Sequence, residues 1–328
     1  MKRSLILMTV LLLAAYGISV GSLPIQAQPY PNRHIQLVIP NVPGSVLDIS
    51  GRLFAEELGK ILRTQVIVMN KPGASGTLGT DAVVKSKKDG YTLAYTNTSA
   101  LVYARVTNPQ TVPYDPDKDL EPLGLHLYFP LAVTVQGTSP WKTFPDLIDY
   151  ARKNPKKLRV ATHGEGTIDH FNLEITQSLT GAQFTHVPFK GGEEVITVLL
   201  GGHIEVIYDA FDKSVPHTNS GDLRILLVSK KLQKYPSIPT LAELGYQQGL
   251  LSAWYAVVAP VGIPEGVKKT LIPAIERAIK DPGLKAKIEK MEGFIVDYKS
   301  PSELKKMVAE EYERAVEIAT KIGLRKTK

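Results

Sequence analysis

The sequence contains no cysteine among its 328 residues. This absence excludes a disulfide framework, a thiol nucleophile and lipid attachment at a cysteine. There is also no compact run of lysine and arginine interleaved with aromatic residues, so we expect no nucleic-acid partner. A chain without disulfides relies on the size of its core, and this one is long enough for two ordinary domains.

The common sequence signatures of catalysis are also missing. The chain has no G-x-S-x-G, H-E-x-x-H or Walker A motif. Gly73, Gly76 and Gly79 follow a predicted strand, but their G-x-x-G-x-x-G spacing differs from the dinucleotide fingerprint. We therefore expect no cofactor and no enzymatic activity.

The N-terminus has the layout of a secretory signal peptide. Lys2 and Arg3 precede an apolar run from Ser4 to Gly21, and small-residue cleavage is possible after Ala27. The pattern predicts removal of residues 1–27 and export to the periplasm. The formal net charge of +7 lies largely on amphipathic helices near the C-terminus, which indicates a solvated face rather than a binding patch.

Strands and helices alternate along most of the chain. Buried strands are predicted at 34–40, 65–70 and 91–97, with helical stretches between them. Such alternation favours an α/β fold with a mostly parallel sheet. A second α/β unit is predicted at 128–228, so we expect one discontinuous domain from 28–127 and 229–328 and another from 128–228.

The segment "ATHGEGTIDHFN" (161–172) concentrates polar side chains between a predicted strand and a predicted helix. By residue type, His163, Asp169, His170 and His186 are possible metal ligands, although their spacing matches no helical ligand pair. Alternatively, the glycines before the helix present backbone N–H groups at its positive end, where a carboxylate binds without a basic side chain. Similar loops precede helices at 40–48 and 188–192.

Several segments in a fixed order resemble one receptor family. They include "YPNRHIQLVIPNVPG", "NKPGASGTLG", "DGYTLAYTNTS", "VPYDPDKDLEPLG", "HVPFKGG", "GGHIEVIYD", "IPTLAELG" and "AWYAVVAPVGIP". Together they are similar to the periplasmic substrate-binding receptors of tripartite tricarboxylate transporters, the Bug-type receptors, over nearly all of the predicted mature chain. The resemblance implies a two-domain periplasmic binding protein fold of type II, a Venus flytrap with a cleft between its domains.

The resemblance also implies the ligand-binding residues, because loops of both domains hold a carboxylate in this family. From the first domain these are Val42, Pro43, Gly44, Ser45, Asp48, Thr96, Thr98 and Ser99. From the second they are Thr162, His163, Thr167, Asp169, His170, Lys190, Gly191, Gly192 and Asp209. Asp48 and Asp209 have an alternative role, in which they order the loops without touching the ligand.

The chain departs from the family pattern at a few of these positions. Ser45 stands where the family usually has a second glycine, Leu47 makes the cleft more apolar, and Phe189 replaces a tyrosine. Asp169 replaces a small hydroxyl residue. A carboxylate there would repel a second ligand carboxylate unless it is protonated, turned away or paired with a cation. A monocarboxylate, an amino-acid-like zwitterion and an aromatic acid therefore stay open as ligands.

The function predicted from the sequence is capture of a small organic acid in the periplasm and its delivery to two membrane permease subunits. We expect the receptor to be a monomer without a metal. Two alternatives remain: a periplasmic metal-dependent enzyme using His163, Asp169 and His170, and a sensor subunit that presents its solute to a membrane signalling protein.

Overall fold

The computed structural model describes residues 29–189, 192–321 and 323–325. The predicted signal peptide, residues 1–27, lies outside the described residues, and so do two of the predicted ligand-binding residues, Lys190 and Gly191. From Arg33 onwards the described residues belong to one compact unit. None of the described helices is long and apolar enough to cross a membrane.

Strands and helices alternate as the sequence predicts. The described strands are β1 (Ile35–Ile39), β2 (Val66–Asn70), β3 (Thr92–Asn97), β4 (Leu120–Phe129), β5 (Leu131–Gln136), β6 (Arg159–Thr162), β7 (Thr185–Pro188), β8 (Val206–Ala210), β9 (Leu223–Val228), β10 (Ala253–Pro260) and β11 (Ile295–Lys299). The described α-helices are α1 (Val46–Leu62), α2 (Thr77–Val84), α3 (Ala104–Thr107), α4 (Pro116–Asp119), α5 (Phe144–Lys153), α6 (Ile168–Thr180), α7 (Gly192–Leu200), α8 (Phe211–Asn219), α9 (Glu265–Ile279), α10 (Pro282–Glu289) and α11 (Pro301–Lys321). A π-helix spans Ser99–Tyr103.

The described strands form two mixed sheets. The first has the order β11-β4-β10-β3-β1-β2, and the second has the order β7-β6-β8-β5-β9. The predicted parallel pairing of β1 with β2 and β3 is confirmed. In contrast, β10 pairs antiparallel with β3 and β4, and β5 pairs antiparallel with β8 and β9. The fold is therefore α/β, but the sheets are mixed and not mostly parallel. The parallel strands β3, β1 and β2 lie at one end of the first sheet, and β7, β6 and β8 lie at one end of the second.

The chain passes between the sheets at two points. It leaves the first sheet at Phe129, the last residue of β4, and enters the second at Leu131. It returns between Val228, the end of β9, and Ala253, the start of β10. The division into domains at 127/128 and 228/229 stays a prediction, although each crossing lies close to a predicted boundary.

Burial along the elements explains why these segments fold as they do. Every residue of β10, "AWYAVVAP", is buried, as expected of a central strand covered on both faces. In α1, Leu47, Phe54 and Leu58 are buried on one side, whereas Arg63 ends the helix in a left-handed conformation. Large buried side chains such as Trp254 and Tyr95 provide the core that a chain without disulfides requires.

Asp48 organises the loop between β1 and α1. Its buried carboxylate accepts hydrogen bonds from the Gly44 N–H at 2.9 Å, from Arg52 Nε at 3.0 Å and from Asn70 Nδ2 at 2.8 Å. The Ser45 hydroxyl accepts from the Asp48 N–H and caps the helix. Asp48 thus ties the loop to the edge of the first sheet.

We expect Asp48→Ala to lower the free energy of unfolding by about 1–3 kcal/mol, because it removes the shared acceptor of three partly buried hydrogen bonds that order this loop. Urea denaturation followed by circular dichroism measures this change. Glu56→Ala is the matched control, since it removes an acidic side chain of the same helix whose Lys60 ion pair is solvent-exposed. Equal destabilisation by both substitutions would contradict the role assigned to Asp48.

Candidate functional site

A cavity of about 530 Å³ lies at the carboxyl ends of parallel strands from both sheets. The loops that follow β1, β3, β6 and β8 supply most of its wall, as expected for ligand sites in open α/β sheets. The described lining residues are Asn41, Gly44, Ser45, Val46, Leu47, Asn97, Thr98, Ser99, Phe129, Leu131, His163, Thr167, Ile168, Asp169, Ala210, Asp212, Lys213, Ala253, Tyr255 and Phe294.

One wall of this cavity is apolar and aromatic. The ring of Phe129 lies 5.2 Å from that of Tyr255 and 5.8 Å from that of Phe294, measured between centroids. Leu47 and Leu131 extend the apolar surface. Such a wall removes apolar area of a bound molecule from water and leaves orientation to a small number of polar groups.

The polar groups include backbone amides at two helix N-termini. The Ser45 hydroxyl accepts from the third amide of α1, and no described residue accepts from the N–H groups of Val46 and Leu47. At α6 the Thr167 hydroxyl accepts from the His170 N–H. The amides of Ile168 and Asp169 remain without an acceptor among the described residues.

Backbone conformation explains the residues that precede these helices. Gly166 has φ +72°, and a Cβ atom there would come within 2.5 Å of the Thr107 side chain. Glycine is therefore required at this position. Ser45, however, has φ −66°, which suits any residue. The second glycine that the family usually carries is thus dispensable for the backbone conformation seen here.

His163 lies between two buried aspartates. Its Nδ1 is 3.2 Å from Oδ2 of Asp169, and its Nε2 is 2.9 Å from Oδ1 of Asp209. The second contact is an ion pair without the alignment of a hydrogen bond. The side chain of His163 is 28% exposed, whereas those of Asp169 and Asp209 are 2% and 0% exposed.

These contacts and burial shift the pKa values of His163 and Asp169. Burial acts to lower the pKa of His163, but the charges of Asp169 and Asp209 outweigh it and raise the pKa to about 9. Burial raises the pKa of Asp169 to about 6; Asp209 adds to this shift and His163 opposes it. Between those two values the imidazolium and the Asp169 carboxylate are both charged, so Asp169 is paired with a cation.

The other two histidines considered as metal ligands, His170 and His186, do not line this cavity. His170 Nδ1 accepts from the Gly166 N–H, and its ring stacks 4.1 Å from that of His186. His186 Nε2 lies 2.7 Å from the Thr162 hydroxyl. Among the described residues, no three histidine, aspartate or glutamate side chains are arranged to hold a metal ion.

Several predicted ligand-binding residues do not line the cavity. Val42 and Pro43 are exposed outside the cavity wall. Thr96 is fully buried, with its hydroxyl 3.0 Å from that of Thr80. Gly192 begins α7. Asp48, Thr162, His170 and Asp209 do not line the cavity. Gly44, Ser45, Thr98, Ser99, His163, Thr167 and Asp169 do line it.

Sequence reasoning missed other lining residues. Asp212 and Lys213 come just after the end of β8, and the predicted end of that strand could have marked them as lining residues. Phe129, Tyr255 and Phe294 come from distant parts of the chain. No local pattern marks them, because strand pairing alone brings β4, β10 and β11 together.

The fold is that of a periplasmic solute-binding protein. Residues 51–324 match the family described as "Tripartite tricarboxylate transporter family receptor", and the chain belongs to this family. It is similar to Protein BugT of Bordetella pertussis, with 31% identity over 95% of this chain and 97% of the relative.

Solved structures agree with this assignment. A TctC solute-binding protein from Polaromonas has a TM-score of 0.78 and 27% identity, and the match covers 89% of this chain and 99% of that one. A protein of R. palustris, solved with adipate, has a TM-score of 0.76 and 27% identity. That match covers 90% of this chain and 98% of the other.

We expect the imidazole of His163 to titrate near pH 9. Since this lies above the ordinary value of 6.5, protonation stabilises the folded state. The stabilisation is complete below about pH 6.5 and is lost as pH rises through about 9. NMR titration of the histidine ring protons, with His163→Gln to assign the resonance, measures the midpoint.

Asp169→Asn removes one flanking charge and should lower that midpoint, while Glu165→Gln, an exposed change in the same loop, should leave it unchanged. A midpoint near 6.5 in the unmodified protein would contradict the pairing with the aspartates.

Proposed function

We propose that the protein is a periplasmic receptor that binds a small organic acid in this cavity and delivers it to two membrane permease subunits of a tripartite transporter. It performs no chemistry on the solute. The observation that carries the proposal is the presence of amides without an acceptor at the N-termini of α1 and α6, on opposite sides of one cavity.

These two helix ends suit a carboxylate for electrostatic reasons. Each N-terminus carries a partial positive charge and amide hydrogens that point towards the ligand. Such sites bind anions without a basic side chain. α1 follows a strand of the first sheet, and α6 follows a strand of the second. A bound acid can therefore contact both sheets at once.

This arrangement also explains how binding could be signalled. We propose that each sheet with its helices forms one domain and that the ligand favours a state in which both contribute contacts. Binding then shifts an equilibrium between open and closed forms because the closed form has the greater affinity. A permease can recognise the closed form without touching the solute.

Membership of a receptor family and the adipate bound to the R. palustris structure support a carboxylate ligand. We propose that Gly44, Ser45, Ser99 and Thr167 contact this ligand, together with the amides of α1 and α6. Asp48 and Asp209 act by ordering the walls of the cavity, because neither side chain reaches its surface.

A thermal-shift screen tests the proposed function. We expect at least one compound from a panel of mono-, di- and tricarboxylates and amino acids to raise the melting temperature, because binding stabilises the native state. The shift should persist in EDTA. A shift abolished by EDTA, or product formation, would support the metal-dependent enzyme instead.

Proline substitution at the first helical residue tests the amides themselves. Val46→Pro and Ile168→Pro each remove one N–H, while the preceding residues Ser45 and Thr167 already have the extended conformation that proline prefers before it. We expect each variant to keep its melting temperature and to bind the best ligand about tenfold more weakly, as measured by calorimetry.

Glu265→Pro is the matched control, because it removes the first amide of α9, which lies outside the cavity. Unchanged affinity in both test variants would show that the carboxylate binds elsewhere.

A further inference from the structure

The charged side chains of the cavity are distributed unequally. Among the described lining residues, His163, Asp169, Asp212 and Lys213 are charged or titratable, and all four follow strands of the second sheet. The loops of the first sheet contribute only uncharged groups and the N-terminus of α1. A bound molecule therefore meets an uncharged surface on one side and a surface with both acidic and basic groups on the other.

Asp169 provides an acceptor that the protein itself leaves unused. Its side chain is 2% exposed, and its Oδ2 is occupied by His163. Its Oδ1 is buried and has no hydrogen-bond partner among the described residues. A buried carboxylate oxygen without a donor is costly, and because Asp169 lines the cavity, a donor group of a bound ligand would satisfy it.

Interaction with the dipole of α6 does not by itself explain the carboxylate of Asp169. Asp169 and Asp212 both lie in the first turn of a helix. At the start of α8, the Phe211 N–H donates to the Pro130 carbonyl at 3.0 Å and the Ala210 N–H donates to Oδ1 of Asp209 at 2.6 Å. Asp169 takes its contacts from His163 instead and leaves the amides of α6 without an acceptor.

We propose that the physiological ligand is an α-amino acid or a closely related zwitterion. This inference rests on the proposed function and specifies its ligand class. The ligand carboxylate binds the amides of Val46 and Leu47, and its ammonium group donates to Oδ1 of Asp169. The side chain of the amino acid packs against Phe129 and Tyr255.

Charge balance supports this orientation. His163 neutralises one of the two buried aspartates beside it, and Lys213 adds a positive charge on the same wall. Among the described residues at this wall and directly behind it, Asp169, Asp209 and Asp212 outnumber these two cations. A ligand ammonium group would complete the balance, whereas a second ligand carboxylate at this wall would be repelled.

Matched pairs of ligands that differ only in the ammonium group provide the test. The pairs are phenylalanine with 3-phenylpropanoate, leucine with 4-methylpentanoate, and glutamate with glutarate, each titrated by calorimetry at pH 7.5. We expect the amino acid of the best-binding pair to bind about tenfold or more tightly than its partner, as a hydrogen bond to a charged group would give.

Asp169→Asn should abolish this preference, because an amide cannot neutralise the ammonium charge. Glu165→Gln is the control: it removes one acidic charge from the same loop but lies outside this cavity. It should leave the preference unchanged.

Two failures are distinguishable. If the deaminated acids bind as well as or better than the amino acids, the ammonium site is wrong and the carboxylate receptor stands. If no carboxylate in either series binds, the receptor function itself is contradicted. A preference that survives in Asp169→Asn would also overturn the role of Asp169.

Discussion

The geometry of the cavity depends on the parallel pairing of a few strands. Parallel strands end at the same edge of a sheet, and the helix that follows each strand begins there. The N-termini of α1, α6 and α8 therefore meet at one cavity. Each helix start leaves amides that its own hydrogen bonds cannot satisfy. The chain satisfies some of these amides with the hydroxyls of Ser45 and Thr167, and we propose that a ligand satisfies others.

The buried aspartates give the second sheet its distinctive character. Two carboxyl groups in a desolvated wall are costly, and the imidazole of His163 compensates them by remaining protonated. This pairing also shows how a carboxylate is accommodated at position 169, where its charge would otherwise repel a ligand carboxylate. The charge of Asp169 is paired with His163, and its Oδ1 has no hydrogen-bond partner among the described residues. In the ligand class that we propose, this carboxylate selects for an ammonium group.

Part of this arrangement was predictable from the sequence, because it depends on local patterns. The strands at 34–40 and 91–97, the glycines before α6 and the loops after β1 and β6 all leave such patterns. The contact between His163 and Asp209 does not, since 46 positions separate these residues and strand pairing brings them together. The same holds for the aromatic wall of Phe129, Tyr255 and Phe294, and for the antiparallel pairing of β10.

A crystal structure with a bound carboxylate ligand tests the central claim most directly. The account predicts one carboxylate oxygen within about 3 Å of the amide nitrogen of Val46 or Ile168, at hydrogen-bonding distance. A carboxylate held instead by Arg314, in the separate cavity beside His170 and His186, with the amides of α1 and α6 still without a ligand, would contradict it.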